Sequence, residues 1–328
     1  MNLHEVFSAP LLDVPREAWP ALGVALLFMV LGGLQVARVA SSAVNGFWRY
    51  FLRPSRNLKS YGDWAVVTGC TDGIGKAYAE LLAGKKMNLI LVSRTPAKLD
   101  DLKRDLVAKH GIEAETIPAD LTKPADATFE AVTTACARPG RKVGLLINNA
   151  GMSYPHAEYF DAVSDDLIAD LVAINVTSLT RMVKAVLPGM LARRRGAIVN
   201  LGSAAGSVLP TDPLYAVYAA SKAYAEKLSA CLDVEYREKG IHVQLQAPLY
   251  VVSKMSKIRK PSLTVPTPKA YARAGLACIG RESVTTPYWA HALMWWAVSA
   301  IPVGLMNSIR LGQCKSLRAR WYRKNKAA

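Results

Sequence analysis

The chain has 328 residues, room for one domain of roughly 250 residues plus extensions. Hydrophobic residues make up 51% and charged residues 20%, which excludes a disordered or collagen-like chain. The net charge of +16 suits anionic lipid, nucleic acid or a polyphosphate ligand, while five widely spaced cysteines without a C-x-x-C pair argue against a disulfide framework or a zinc ribbon.

Ala21–Ala37 is apolar except for Gln35, and Trp19 and Trp48 flank it as interface anchors. At about 1.5 Å per residue it just crosses a bilayer core. Glu5, Asp13 and Glu17 precede it, and Arg38, Arg49, Arg53, Arg56 and Lys59 follow. That asymmetry predicts a retained anchor with the bulk of the chain in the cytosol. A signal peptide and a buried helix are the alternatives.

From there apolar runs alternate with helical patterns. Strands are expected at Trp64–Thr68, Asn88–Ser93, Ala114–Ala119, Val143–Asn148, Ala197–Leu201 and His242–Ala247. Helices are expected near Ile74–Gly84, Ala97–His110, Ala125–Ala137, Asp165–Ala192 and Leu214–Lys239. The alternation predicts an α/β fold with a doubly wound parallel sheet. The first strand runs into T-G-C-T-D-G-I-G, where Gly69, Gly73 and Gly75 permit close approach of a phosphate to a helix N-terminus. A ligand-free glycine turn is the alternative. The second strand ends in Ser93-Arg94 where a carboxylate would read a free ribose hydroxyl, so Arg94 favours a 2′-phosphate and NADP(H) over NAD(H). Lys76 could add positive charge, or be an ordinary solvated helix residue. Asp120 could contact adenine or cap the next turn. Asn148-Asn149-Ala150-Gly151 closes the fourth strand, where short residues can line a ligand crevice.

Further along, Asn175 sits in an expected helix that asparagine does not favour, and Ser203 follows the fifth strand. Tyr218 and Lys222 are four apart, so both functional groups share one helix face. A neighbouring ammonium brings a phenol nearer a working pKa. Tyr215 and Tyr224 have no lysine at that spacing. Lys254, Lys257, Arg259 and Lys260 follow the sixth strand as a basic lid before a proline-rich hinge, Pro261–Pro268. Such a basic segment suits a polyphosphate ligand, with a loop resting on anionic phospholipid as the alternative. Tyr288–Ile309 is apolar with three tryptophans and precedes a basic tail. It is expected as a hydrophobic flap or interfacial helix, with a second span or a core helix as alternatives. Nothing in the tail reads nucleic-acid bases.

Taken in order, T-G-x-x-x-G-I-G, N-N-A-G, Asn175, Ser203 and Tyr218/Lys222 resemble the short-chain dehydrogenase/reductase superfamily. The resemblance implies a Rossmann domain with Tyr218 as acid/base, Lys222 as its modulator, Ser203 as carbonyl partner and Asn175 as proton relay. It implies that Gly69, Thr71, Asp72, Gly73, Ile74, Gly75, Arg94, Asp120, Asn149, Tyr218 and Lys222 hold NADP(H), with no metal. A closer likeness, in Tyr50–Leu58, Asn148–Pro155, Pro248–Val251, Lys254–Lys260 and Thr286–Met294, is to the membrane-bound very-long-chain 3-oxoacyl-CoA reductases of the endoplasmic reticulum, plant branch. Lys324–Ala328, K-N-K-A-A, resembles a dilysine retrieval signal read in the cytosol. Departures are Pro248-Leu249 for the superfamily's Pro-Gly, His156 for an expected tyrosine, and Val252-Ser253 for Ala-Thr.

The expected organisation is a short segment over 1–18, an anchor over 19–40, a basic linker over 41–60, a catalytic domain over 61–280 with its lid at 249–275, and a flap and basic tail over 281–328. The resemblance implies NADPH-dependent reduction of 3-oxoacyl-CoA, with Ser203, Lys254, Lys257 and Arg259 on the substrate side and coenzyme A as the ligand of the basic lid. Membrane lipid, the condensing enzyme, the dehydratase and the enoyl reductase of fatty-acid elongation are the implied partners, and homo-oligomerisation stays open. A hydroxysteroid dehydrogenase of the 17-beta type and a non-catalytic subunit of an elongation complex are the alternatives.

Overall fold

The computed structural model describes residues 15–326. The chain divides into two units, residues 1–53 and 54–328. In the first, helix α1 (Trp19–Phe47) is preceded by a 3-10 turn and followed by a π turn at Trp48–Leu52. Arg16–Leu52 makes 37 residues of helix, and its most apolar window has a mean hydropathy of 2.0 with none of it buried. It is long and apolar enough to cross a bilayer. Glu5 and Asp13, on which the acidic side of the charge asymmetry partly rests, lie outside the described residues, as do the last two residues of K-N-K-A-A.

The second unit is built on seven parallel strands in the order β3-β2-β1-β4-β5-β6-β7. These are β1 Trp64–Thr68, β2 Asn88–Ser93, β3 Ala114–Pro118, β4 Val143–Asn148, β5 Gly196–Leu201, β6 Ile241–Gln246 and β7 Val284–Thr285. Parallel strands require crossovers, and right-handed crossovers place helices on both faces. One face of the sheet presents Ala65, Val67, Leu89, Leu91, Leu145 and Ile147. It is covered by α2 (Gly73–Gly84), α3 (Pro96–His110) and α9 (Pro268–Cys278) through Tyr78, Leu99 and Tyr271. The other face presents Trp64, Val66, Ile90, Val92 and Leu146 to Phe129 and Val132 of α4 (Asp126–Ala137) and to Met182 and Val186 of α6 (Leu179–Ala192). Burial on both sides explains why the strands read as continuous apolar runs. The order reverses between β1 and β4, which opens a crevice at the strands' C-terminal ends.

Four differences from the sequence expectation matter. The two-residue strand β7 carries the sheet past residue 280, too short to show a period. The single helix expected over Asp165–Ala192 is α5 (Asp165–Val172), a π segment at Ala173–Ser178, and α6. That stretch is long and apolar enough to cross a membrane, but Met182, Val183, Val186 and Met190 pack in the sheet core. The expected helix Leu214–Lys239 divides into α8 (Ala216–Tyr236) and a closing 3-10 turn, while α7 (Ala204–Ser207) is a single turn after β5. Finally, the apolar stretch Tyr288–Ile309 divides between α10 (Trp289–Ser299) and α11 (Val303–Lys326), which meet at a bend of 120°. The basic tail is the far end of α11, a helix applied to the domain, and Arg310, Arg318, Trp321 and Tyr322 hold it there.

Candidate active site

The glycine loop leaves β1 at Gly69, whose φ of +61° lies in the left-handed region. A Cβ on Gly69 would sit 3.0 Å from Asn149 Nδ2, and one on Gly75 would collide with Gly69 O. The loop therefore has to be glycine to pack against the turn after β4. Asn149 closes that contact, with Nδ2 donating to Thr68 O at 3.0 Å and to Gly69 O at 3.2 Å. Gly73 has a φ of +54°, and nothing lies within 4 Å of the position its Cβ would take. Asp72 caps α2 by accepting from the Gly73 N–H at 2.8 Å. The open side of Gly73 and the first turn of α2, whose N–H groups have no intrahelical acceptors, fit a diphosphate.

Thr71 Oγ1 lies 2.9 Å from Ser93 Oγ, which ties this loop to the end of β2 beside the exposed Arg94. Asp120 accepts from Thr122 N–H at 3.0 Å and from its hydroxyl at 2.8 Å, so the carboxylate caps the turn after β3. Burial would raise the Asp120 carboxyl, but these bonds and the charge of Arg94 bring it below its ordinary value.

The catalytic candidates converge at the ends of β4 and β5. Ser203 is extended and caps α7 by accepting from Ala205 N–H at 3.2 Å. Its side chain lies close enough to the Tyr218 phenol to lower that group's pKa. Tyr218 and Lys222 lie on the first turns of α8, with Lys222 Nζ 6.0 Å from the Tyr218 ring centre. Burial pushes the phenol up to about 12 with Ser203 opposing it, away from the working range expected of a phenol beside the Lys222 ammonium. Burial brings the Lys222 ammonium down to about 8. Lys222 donates to Leu201 O at 3.0 Å, and an ammonium has further donors to offer a ribose diol in the crevice. A Cβ on Gly151 would come 2.9 Å from Asn175 Oδ1 and 3.1 Å from Lys222 Nζ, so glycine keeps this cradle open.

Asn175 is one of the two buried residues of the π segment, with Ser178, and π turns recur at functional sites. Its amide exchanges hydrogen bonds with the backbone of Met152, at 3.2 Å and 2.9 Å, and donates to Ser221 Oγ at 3.0 Å. Ser221 in turn donates to Tyr218 O at 2.7 Å. The structure thus brings Asn175, Ser203, Tyr218 and Lys222 together around one crevice.

Several supporting residues were not singled out in the sequence. Tyr154 OH accepts from Val217 N–H at 3.2 Å, in the first turn of α8. Asp212, on the loop leading to α8, is paired with Arg310 of α11, and both are nearly buried. Burial raises the Asp212 carboxyl, and the arginine offsets it. Glu158 receives Arg318 Nε and Tyr322 OH, each at 2.5 Å. Burial would raise this carboxyl, but those donors take it down to about 2. His156 stacks on Trp321 at 3.5 Å between ring centres. It therefore faces α11 from the loop below the crevice. The lid is anchored as well, with Lys254 paired to Asp72 at 2.7 Å and Lys257 Nζ donating to Pro155 O at 2.7 Å.

Comparison with known proteins agrees with this geometry. The family model described as short chain dehydrogenase matches residues 63–263. A very-long-chain 3-oxoacyl-CoA reductase-like protein of Arabidopsis thaliana is 44% identical over 268 residues, 80% of this chain and 84% of its own. Very-long-chain 3-oxoacyl-CoA reductase-B of Danio rerio is 40% identical over 291 residues, 87% and 91% of the two chains. Among solved structures, a short-chain dehydrogenase from Sphingobium yanoikuyae in complex with NADPH is 33% identical, with a TM-score of 0.62 over 74% of this chain and 95% of that one. A 7beta-hydroxysteroid dehydrogenase at 21% identity shares the fold, with a TM-score of 0.68 over 78% and 99% of the two chains. A serine, tyrosine and lysine converging on a glycine-loop crevice, in a chain matched over this range, make it a member of the short-chain dehydrogenase/reductase family, an oxidoreductase resembling the very-long-chain 3-oxoacyl-CoA reductases.

Proposed function

We propose that the protein reduces very-long-chain 3-oxoacyl-CoA to 3-hydroxyacyl-CoA with NADPH. The observation that carries this reading is the Ser203–Tyr218–Lys222–Asn175 arrangement, with Lys222 and Asn175 buried and Ser203 and Tyr218 half-buried, in a chain 44% identical to a reductase-like relative of that name. The open glycine loop fits the cofactor diphosphate, Arg94 its 2′-phosphate, and Lys222 with the polar end of Tyr218 its nicotinamide ribose. NADPH, when bound, supplies the hydride delivered to C3 of the substrate.

The chain's own groups do the rest. Ser203 orients the 3-keto oxygen toward Tyr218. Because burial holds the Tyr218 phenol protonated at neutral pH, it is loaded as the acid for the developing alkoxide. Lys222, kept charged below about pH 8, stabilises the phenolate left behind. Asn175, held by Met152 and Ser221, keeps the Lys222 side of the crevice in place for proton return from solvent. The apolar helix α1 supports placement in the endoplasmic reticulum membrane with the catalytic domain toward the cytosol. There the reductase would work beside the condensing enzyme, dehydratase and enoyl reductase of elongation.

The test is NADPH oxidation by detergent-solubilised full-length protein, with a long-chain 3-oxoacyl-CoA and a 17-ketosteroid supplied separately. Turnover on the acyl-CoA supports the reading. Turnover on the steroid alone transfers the activity to hydroxysteroids.

A further inference from the structure

Beside the glycine loop, on the side of the lid, lies a cleft of about 1120 Å³. Four separate segments bring basic side chains to it: Lys76 from α2, Lys254, Lys257 and Arg259 from the lid, Lys269 from α9, and Lys324 from the end of α11. Only Asp72 and Glu80 oppose them, so the lining has an excess of four positive charges. The N-terminus of α9 adds to this field. Thr267 caps that eleven-residue helix, and Thr267, Pro268 and Lys269 all line the cleft. Like charges gathered from four segments repel one another unless an anion joins them.

We infer that this cleft binds the phosphorylated nucleotide head of coenzyme A, with its diphosphate and 3′-phosphate. The inference rests on the acyl-CoA reading above and assigns its head-group site. A phosphate monoester alone carries about −1.5 to −2 charges at neutral pH, so a head with a monoester and a diphosphate matches the excess. Asp72, Gly73 and Lys76 of this lining also border the cofactor cradle, whereas Lys269 and Lys324 lie beyond the residues 63–263 shared with the family and set the cleft apart from it. The lid connects the two sites. Lys257 reaches Pro155 O, in the loop that follows the N-N-A-G turn of the catalytic crevice. The Lys254–Asp72 pair is exposed, with side chains 82% and 58% accessible. Such a pair contributes little to stability, so its ammonium can turn to a phosphate at small cost.

The experiment uses the full-length protein in detergent with saturating NADPH, and Lys269→Glu combined with Lys324→Glu, two exposed positions. Coenzyme A binding is measured by calorimetry. KM is measured for a 3-oxoacyl-CoA and for the same acyl group on N-acetylcysteamine, which has no nucleotide. The expected result is CoA binding alongside NADPH, weakened about tenfold in the variant. The KM for the CoA thioester should rise by a similar factor, while those for NADPH and the truncated thioester stay put. The milder Lys269→Gln/Lys324→Gln pair should move the same constants in the same direction by less. CoA that binds only without NADPH, an NADPH KM that rises with the variant, or an equal rise for both thioesters would overturn the inference. So would intact CoA binding with loss of binding only to phosphatidylserine vesicles, which would assign the charges to lipid phosphate. Variant-sensitive CoA binding with no turnover of either thioester would uphold the site and overturn the reductase reading instead.

Discussion

Arg310 Nε donates to Asp212 Oδ1 at 2.7 Å, and through this pair the last helix of the chain holds the loop that delivers Tyr218. Thr211 Oγ1 bonds Asn307 Oδ1 at 2.7 Å in the same contact. Leu214, Ala157 and Cys314 pack together beneath it. Glu158 N–H donates to Leu214 O at 3.0 Å, so the pair from α11 to Glu158 and the pair to Asp212 brace one structure. Breaking a nearly buried ion pair by removing one partner leaves the other charge uncompensated and costs about 3–5 kcal/mol. Arg310→Met should therefore lower stability by about that amount and kcat by about tenfold, leaving the NADPH KM unchanged. Combining it with Asp212→Asn should recover much of the stability. Thermal unfolding and steady-state kinetics of Arg310→Met and of the double variant check this. A single variant as stable and active as the parent would remove α11 from the account.

The pH dependence follows from Lys222 and Tyr218 on α8. Lys222 is brought down to about 8, and its protonated form is the working one. Tyr218 is pushed up to about 12 and stays protonated throughout the practical range. The kcat/KM for reduction reports the free enzyme. It should be flat below about pH 8 and decline by about tenfold per unit above it. A profile that rises through that region would contradict the assignment of Lys222.

Arg94 is exposed at the end of β2, next to Ser93, whose hydroxyl touches Thr71 of the glycine loop. A charge-assisted hydrogen bond contributes about 1.5–3 kcal/mol. Arg94→Gln should therefore raise the KM for NADPH by about 10- to 100-fold and leave that for NADH nearly unchanged. Parallel titrations with both nucleotides measure the ratio.

The strands and the site were legible because both leave local marks. A strand buried on both faces is an apolar run, and Thr68–Gly75, Asn148–Gly151 and Tyr218/Lys222 carry their chemistry within a few residues. The placement of α11 was not legible. Arg310 and Arg318 read as part of a basic tail, because their partners lie 98 and 160 residues away in Asp212 and Glu158. The π segment was hidden for a different reason. Residues Ala173–Ser178 hold no glycine or proline to mark a break in the helix, and the bonds of Asn175 to Met152 show which way its side chain turns. His156 looked like a departure on the substrate side, and its stacking on Trp321 became visible only with α11 in place.

The anchor reading makes its own prediction. Leu27 and Leu31 are exposed on α1, and a lysine at the centre of a span costs about 2.5–3.5 kcal/mol. The full-length protein should stay with membranes through alkaline extraction. Leu27→Lys combined with Leu31→Lys should release a substantial fraction to the supernatant. Equal retention of both would mean that α1 is not what holds the protein to the membrane.

The most direct measurement is NADPH oxidation with a long-chain 3-oxoacyl-CoA, comparing the parent protein with Tyr218→Phe, each shown to bind NADPH. The account predicts turnover to the 3-hydroxyacyl-CoA in the parent and a loss of at least about 100-fold in the variant, the range of a lost general acid. Equal rates in the two proteins, or no turnover in a parent that binds both ligands, would contradict it.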